Sequence, residues 1–159
     1  MNSFTLTTKS VIETQKLAAD LSHLLKSGDV VLLEGDLGAG KTTFVGGFLK
    51  ELGYNGHVIS PTFNILKCYF EVSPNVFHID AYRLEDSKQD LGLEEFIEGE
   101  GICLIEWPIY IKELIPGKHL KIALYRIDDN KRKIVISSDD KFYKEVFSFL
   151  KDNYVSIAS

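Results

Sequence analysis

The run Gly35-Asp36-Leu37-Gly38-Ala39-Gly40-Lys41-Thr42 carries the strongest chemistry in the chain. It satisfies G-x-x-x-x-G-K-[ST] at every fixed position. Glycines at 35 and 40 allow backbone angles that a Cβ would forbid. The N–H groups of the loop can then turn inward around phosphate oxygens. A helix starting at Lys41 points its positive N-terminal end at the same anion. Lys41 adds a point charge at the β- and γ-phosphates, and the Thr42 hydroxyl is placed for Mg²⁺. Gly35, Asp36, Leu37, Gly38, Ala39, Gly40, Lys41, Thr42 and Thr43 are therefore the expected nucleotide-binding run. At ordinary composition a chance match arises roughly once in 200 chains of this length. The apolar stretch before the loop and the helical pattern after it make chance rarer still.

Such a loop needs an acidic partner for the metal and for water. Two acids end apolar runs: Asp80 after Val76-Phe77-His78-Ile79, and Glu106 after Ile102-Cys103-Leu104-Ile105. In open α/β sheets, ligands sit beyond the carboxyl ends of the strands, so both carboxylates can face a γ-phosphate. The residues leave open whether Asp80, Asp36 or Glu106 orients the attacking water. The assignment adopted puts Glu106, with Thr42, in the Mg²⁺ shell and Asp80 on the γ-phosphate side as water orienter or base. Lys41, Asp80 and Glu106 are the catalytic candidates. His78 shares the face of Asp80 in a strand and reads as a core or support residue. Trp107 either packs or gates the site.

The elements that must position these groups are legible in outline. Ser10 and Glu13 have the spacing of a capping box, and Leu17, Leu21, Leu24 and Leu25 continue at helical spacing. A helix over 11–26 follows, stopped by Gly28. A short strand precedes it at Phe4–Thr7. Val30–Leu33 reads as a buried parallel strand, and Phe44, Val45, Phe48, Leu49 and Leu52 as a helix ended by Gly53. Ser60-Pro61-Thr62 breaks the chain. Further strands are expected at 63–70, 76–80 and 102–105, and helical segments at 88–97 and 109–115. Leu120–Ile127 and Arg132–Ile136 alternate around Asp128-Asp129-Asn130-Lys131 as an antiparallel hairpin. Phe142, Val146, Phe149 and Leu150 predict a closing helix. The sum is an α/β fold, a P-loop NTPase-like three-layer sandwich with a mixed, partly antiparallel sheet.

The chain has 159 residues, which predicts one domain over 1–159, large enough to bury a core without staples. The net charge of -5 and three arginines (Arg83, Arg126 and Arg132) advertise no basic face for gripping DNA or any other nucleic acid. Cys68 and Cys103 lie far apart and lack metal-ligand spacing. No apolar run approaches ~18 residues and the N-terminus lacks a signal core, so no membrane span is expected and the reading is cytoplasmic. A small-molecule kinase would need an arginine-bearing lid, which three arginines serve poorly. A GTPase would need N-K-x-D, and Asn130-Lys131-Arg132-Lys133 lacks the aspartate. A nucleotide sensor without turnover is the remaining rival, disfavoured by the intact acids.

Gly35-Asp36-Leu37-Gly38-Ala39-Gly40-Lys41-Thr42-Thr43-Phe44, Ser60-Pro61-Thr62-Phe63, His78-Ile79-Asp80-Ala81-Tyr82-Arg83-Leu84 and Leu104-Ile105-Glu106-Trp107-Pro108 occur in that order. Together they resemble the bacterial TsaE (YjeE) family, the ATPase of tRNA threonylcarbamoyladenosine synthesis. The resemblance spans residues ~10–137, and its H-x-D-x-Y-R and E-W-P elements are far more specific than the loop alone. It implies ATP and Mg²⁺ as ligands and slow ATP hydrolysis. It also implies action with the TsaD and TsaB subunits on adenosine 37 of tRNAs reading ANN codons, with turnover resetting that complex and tRNA touched only through it. By the same resemblance 60–63 is a switch-like loop near the γ-phosphate, and Arg132 of the hairpin reaches the nucleotide. One departure stands out. Gly46-Gly47 occupies a place where relatives often carry a basic residue, and each glycine weakens a helix by roughly 1 kcal/mol relative to Ala.

Overall fold

The computed structural model describes residues 1–85 and 91–157. In chain order the elements are β1 (Asn2–Thr8), α1 (Val11–Ser22), β2 (Val30–Glu34), α2 (Lys41–Glu51), β3 (Leu66–Tyr69), β4 (Val76–Asp80), α3 (Glu94–Ile97), β5 (Ile102–Glu106), β6 (Leu120–Arg126), β7 (Arg132–Ser138) and α4 (Lys144–Asn153). Two 3₁₀ segments, Tyr82–Leu84 and Pro108–Leu114, follow β4 and β5.

The seven strands form one sheet in the order β1-β7-β6-β2-β5-β4-β3. The four middle strands, β6-β2-β5-β4, run parallel, and β7, β1 and β3 join antiparallel. The mixed sheet of the sequence reading is therefore present. β2, β4 and β5 are buried on both faces, which explains their unbroken apolar runs. One core lies between the sheet and α1, α2 and α4, built on Leu17, Leu21, Phe44, Phe48, Leu104 and Leu150. The other lies beneath the short helical segments and holds Phe77, Ile79, Ile97, Cys103, Ile105 and Ile111. This second layer is thin, yet it makes the arrangement a sandwich of three.

Three expectations need correction. The helix predicted over 11–26 ends at Ser22. The Asp29 carboxylate accepts the Lys26 N–H (2.7 Å), and the Gly28 N–H reaches the Gly101 carbonyl (2.8 Å). These bonds turn 23–29 down into β2 before the apolar spacing is used up. The strand predicted over 63–70 begins only at Leu66. The Pro61 carbonyl takes the N–H groups of both Asn64 and Ile65, and Ile65 adopts φ 67°. A tight turn therefore replaces the first strand residues and leaves Phe63 exposed. Of the helix predicted over 88–97, residues 88–90 lie outside the described residues, and the part observed is α3.

Packing also accounts for one of the two adjacent glycines. A Cβ on Gly47 would lie 2.6 Å from both Cα and O of Gln15 on α1, whereas a Cβ on Gly46 would meet nothing within 4 Å. Gly47 lets α1 and α2 approach closely, while Gly46 has no steric duty. At the start of α1, the Ser10 hydroxyl accepts the Glu13 N–H (3.1 Å) and the Glu13 carboxylate accepts the Lys9 N–H (3.1 Å). The predicted cap is thus present, displaced by one residue on its return bond.

Candidate nucleotide site

The loop leaves the carboxyl end of β2, and the two acids stand beside it because of strand register. Leu33 is opposite Glu106, and Asp80 is opposite Glu106. Leu104 and Val76 belong to the core under α2. By alternation Glu106, Asp80 and His78 point to that same face. All three are buried, at 3%, 3% and 0% exposure, and Lys41 is buried at 7%.

Each carboxylate is held differently. Asp80 Oδ2 accepts the hydroxyls of Ser60 (3.0 Å) and Thr62 (2.9 Å), and Oδ1 accepts the Tyr82 N–H (3.0 Å). Glu106 Oε1 lies 3.6 Å from the Lys41 ammonium, and Oε2 lies 2.7 Å from His78 Nε2. The Lys41 ammonium also sits 4.5 Å from the centre of the Trp107 ring. Trp107 has left-handed backbone angles (φ 56°). Tyr82 and Tyr110 pack on its ring, with centroids 5.0 and 6.3 Å away, giving an aromatic wall beside the lysine.

The start of α2 is open to an anion. Gly40 is its N-cap at φ 106°, with no side-chain cap and no acid in the first turn. The first N–H groups of the helix therefore lack a side-chain acceptor. Gly35 answers a different need: a Cβ there would meet the Leu124 carbonyl oxygen of β6 at 2.7 Å. The loop can leave the sheet at that point only without a side chain.

A cleft of about 430 Å³ collects most of the predicted residues: Leu37, Gly38, Gly40, Lys41, Thr42, Thr43, Asp80, Glu106 and Arg132, joined by Ser60, Thr62, Tyr82 and Trp107. Gly35, Asp36 and Ala39 face instead a second cleft of about 470 Å³ behind the loop, which shares Leu37, Lys41 and Trp107 with the first. Arg132 holds the loop by its backbone. Nε donates to the Ala39 carbonyl (2.9 Å), Nη2 to Gly38 (3.1 Å), and Nη1 to Asp128 (2.6 Å) and Lys131 (2.9 Å). Those contacts use four of its five N–H donors.

Residue reading did not foresee the Ser60–Thr62 clamp on Asp80 or the His78–Glu106 bond. The hydroxyls flanking Pro61 and the His two residues before Asp80 were the available signals. Neither identifies the residue across the sheet.

The sequence profile described as "Threonylcarbamoyl adenosine biosynthesis protein TsaE" matches residues 8–134. The chain belongs to the TsaE family. Among TsaE relatives, the tRNA threonylcarbamoyladenosine biosynthesis protein TsaE of Bacillus subtilis is 44% identical over 132 residues, covering 83% of this chain and 84% of that protein. Its namesake in Rickettsia conorii is 40% identical over 153 residues, covering 92% and 87%. That of Haemophilus influenzae is 33% identical over 121 residues, covering 75% and 76%. The crystal structure of Bacillus subtilis YdiB superimposes with a TM-score of 0.81 at 35% identity, covering 95% of both chains. The TsaE assignment places the chain in threonylcarbamoyladenosine biosynthesis on a P-loop NTPase fold.

Proposed function

We propose that this chain binds ATP with Mg²⁺ in the 430 Å³ cleft and hydrolyses it slowly. Turnover serves formation of the threonylcarbamoyl group on adenosine 37 of tRNAs reading ANN codons. The chain acts in the cytoplasm with a TsaD–TsaB pair and resets that pair between cycles. The observation that carries the reading is the alignment of Lys41, Glu106 and Asp80 at one end of the parallel strands, on the face where α2 begins.

The site suits a magnesium nucleotide. Its donors are hard oxygens (the Thr42 hydroxyl and two carboxylates), and the lining contains no thiol. Mg²⁺ takes one or two carboxylates and fills the rest of its shell with phosphates and water. A cluster of three ligating residues, which is absent among the described residues, is not required. Thr42 and Glu106 would hold the ion, which supplies charge neutralisation at the β- and γ-phosphates. The chain's own residues do the rest. The α2 N-terminus and loop amides hold phosphate oxygens. Lys41 exchanges Glu106 and Trp107 for the β- and γ-phosphates. Asp80, aimed by Ser60 and Thr62, accepts from the attacking water. The Trp107–Tyr82–Tyr110 wall limits bulk water.

The acidic chain engages tRNA through its partners. No helix among the described residues is long and apolar enough to cross a membrane.

The test is ATP hydrolysis by the chain alone and with TsaB–TsaD, scoring modified adenosine in tRNA. Lys41→Ala should weaken ATP binding roughly 10–100-fold, the worth of a charge-assisted contact, and abolish modification. Glu106→Ala should lower magnesium-dependent turnover more than binding. Unchanged turnover in Glu106→Ala would remove it from the mechanism, and modification indifferent to Lys41 would sink the proposal.

A further inference from the structure

Glu106 has only two holds on its carboxylate among the described residues: the Lys41 ammonium on Oε1 and His78 Nε2 on Oε2. The first is temporary in the mechanism above. Once Lys41 turns to the phosphates, the 2.7 Å bond to His78 is what remains. Asp80, by contrast, keeps the Tyr82 N–H, a backbone contact on its own strand-to-helix turn, whatever the nucleotide does.

His78 itself is poorly explained as packing. Its ring is fully buried in β4, directly before Ile79 and opposite Leu104 of β5. Its Nδ1 meets no protein partner. A bare buried nitrogen is unfavourable, so a leucine would fill the position at lower cost. The feature leucine lacks is the Nε2–H donor aimed at Glu106. A carboxylate accepts only, so the bond puts the proton on Nε2. The geometry resembles the carboxylate-to-ligand bonds that orient groups around metals, with the histidine here as the outer partner.

We propose that His78 is a positioning residue. By donating Nε2–H to Oε2 it keeps Oε1 of Glu106 turned toward the magnesium place beside Thr42, also after Lys41 has moved to the phosphates. The inference rests on the hydrolytic reading above and adds a residue to it. His78 touches neither nucleotide nor metal; it acts through Glu106.

Two substitutions separate donation from packing. In His78→Gln the side-chain amide nitrogen reaches about as far as imidazole Nε2 and still donates. His78→Leu fills similar space without a donor. The measurements are kcat, KM for ATP, the Mg²⁺ concentration for half-maximal rate, and thermal midpoint, with wild type in parallel. His78→Leu should lose at least about tenfold in kcat and need several-fold more Mg²⁺, with KM changed less than about twofold and the fold intact; a tenfold loss is about 1.4 kcal/mol. His78→Gln should recover most of the rate. A nitrogen NMR spectrum of the nucleotide-free wild type should show the His78 proton on Nε2, exchanging slowly.

Full kcat and unaltered Mg²⁺ dependence in His78→Leu would overturn the proposal. So would equal damage in both variants, which marks a packing role, or a ring proton on Nδ1 with none on Nε2. A wild type inert toward ATP, alone and with its partners, rejects the hydrolytic reading and this proposal with it. That result differs from an active wild type with an equally active leucine variant.

Discussion

At the scale of the residue, the proposed function requires Lys41 to exchange its present pairings for phosphates. Lys41 sits 4.5 Å from the ring of Trp107, the single tryptophan of the chain. An ammonium over an indole face is attracted by the ring's quadrupole. Phosphates should draw it away, so ATP should change Trp107 emission. Lys41→Ala should begin in the altered state and respond weakly. A wild-type emission unchanged at saturating ATP would contradict the exchange of partners. The cysteines give a second check. Cys103 is fully buried, and burial pushes its thiol up to about 12; Cys68 is partly exposed and raised by the same cause to a lesser extent. A thiol reagent near pH 8 should label at most one cysteine in the native protein and both in denaturant. Labelling of both in the native state would show that β5 opens. The acids of the site were legible in the sequence because each ends an apolar run. The His78–Glu106 bond was not, because it depends on β4 lying beside β5, and strand neighbours are not written in either strand.

At the scale of the element, the two glycines of α2 separate propensity from packing. The helix rule charges both equally, yet only Gly47 lies against Gln15. Gly46→Ala should stabilise the protein by about 0.4–1 kcal/mol, since Ala lowers unfolded-chain entropy without a clash. Gly47→Ala should destabilise it by about 1–3 kcal/mol, because a Cβ 2.6 Å from backbone atoms forces α1 away. Urea unfolding of both variants decides the matter, and equal shifts of one sign would refute the close-packing argument. The same contrast explains what periodicity could reveal. β2, β4 and β5 were legible because both faces are buried, so every residue carries the signal. The end of α1 and the turn at 61–65 were not. Their boundaries come from Asp29 and the Pro61 carbonyl accepting backbone N–H groups, bonds that local apolar spacing does not record.

At the scale of the whole molecule, α4 and the segments flanking it are fastened to the body by two tyrosines. Tyr143, just before α4, donates to the Asp29 carboxylate (3.3 Å), and Tyr154, just after it, donates to Asp20 on α1 (2.5 Å). Burial is the larger reason that both phenols are raised from their ordinary value of 10, and the neighbouring carboxylates add to it. Tyr69, fully buried on β3 against the Tyr54 ring, is pushed up to about 12, first by burial. A group that holds its proton more tightly when folded gives it up first in the unfolded form, so rising pH draws the equilibrium toward unfolding. Its stabilisation is complete below the unfolded value and drains away as pH climbs toward the folded one. For the tyrosines the loss therefore begins near pH 10; for Cys103 it begins near 9 and runs to about 12. One fully buried group contributes up to about 1.4 kcal/mol per pH unit within its window. Tyr143 and Tyr154 are only partly buried and contribute less. Stability by urea unfolding should thus hold level from pH 7 to 9 and fall increasingly steeply beyond 10. Tyr154→Phe should lower stability at pH 8, because the bond to Asp20 is gone, and should also flatten the alkaline slope. A variant whose slope matches the wild type would show that the Tyr154 phenol does not titrate with unfolding. The fastening of α4 to α1 would then rest on the contacts of Phe147 and Leu150 with the core.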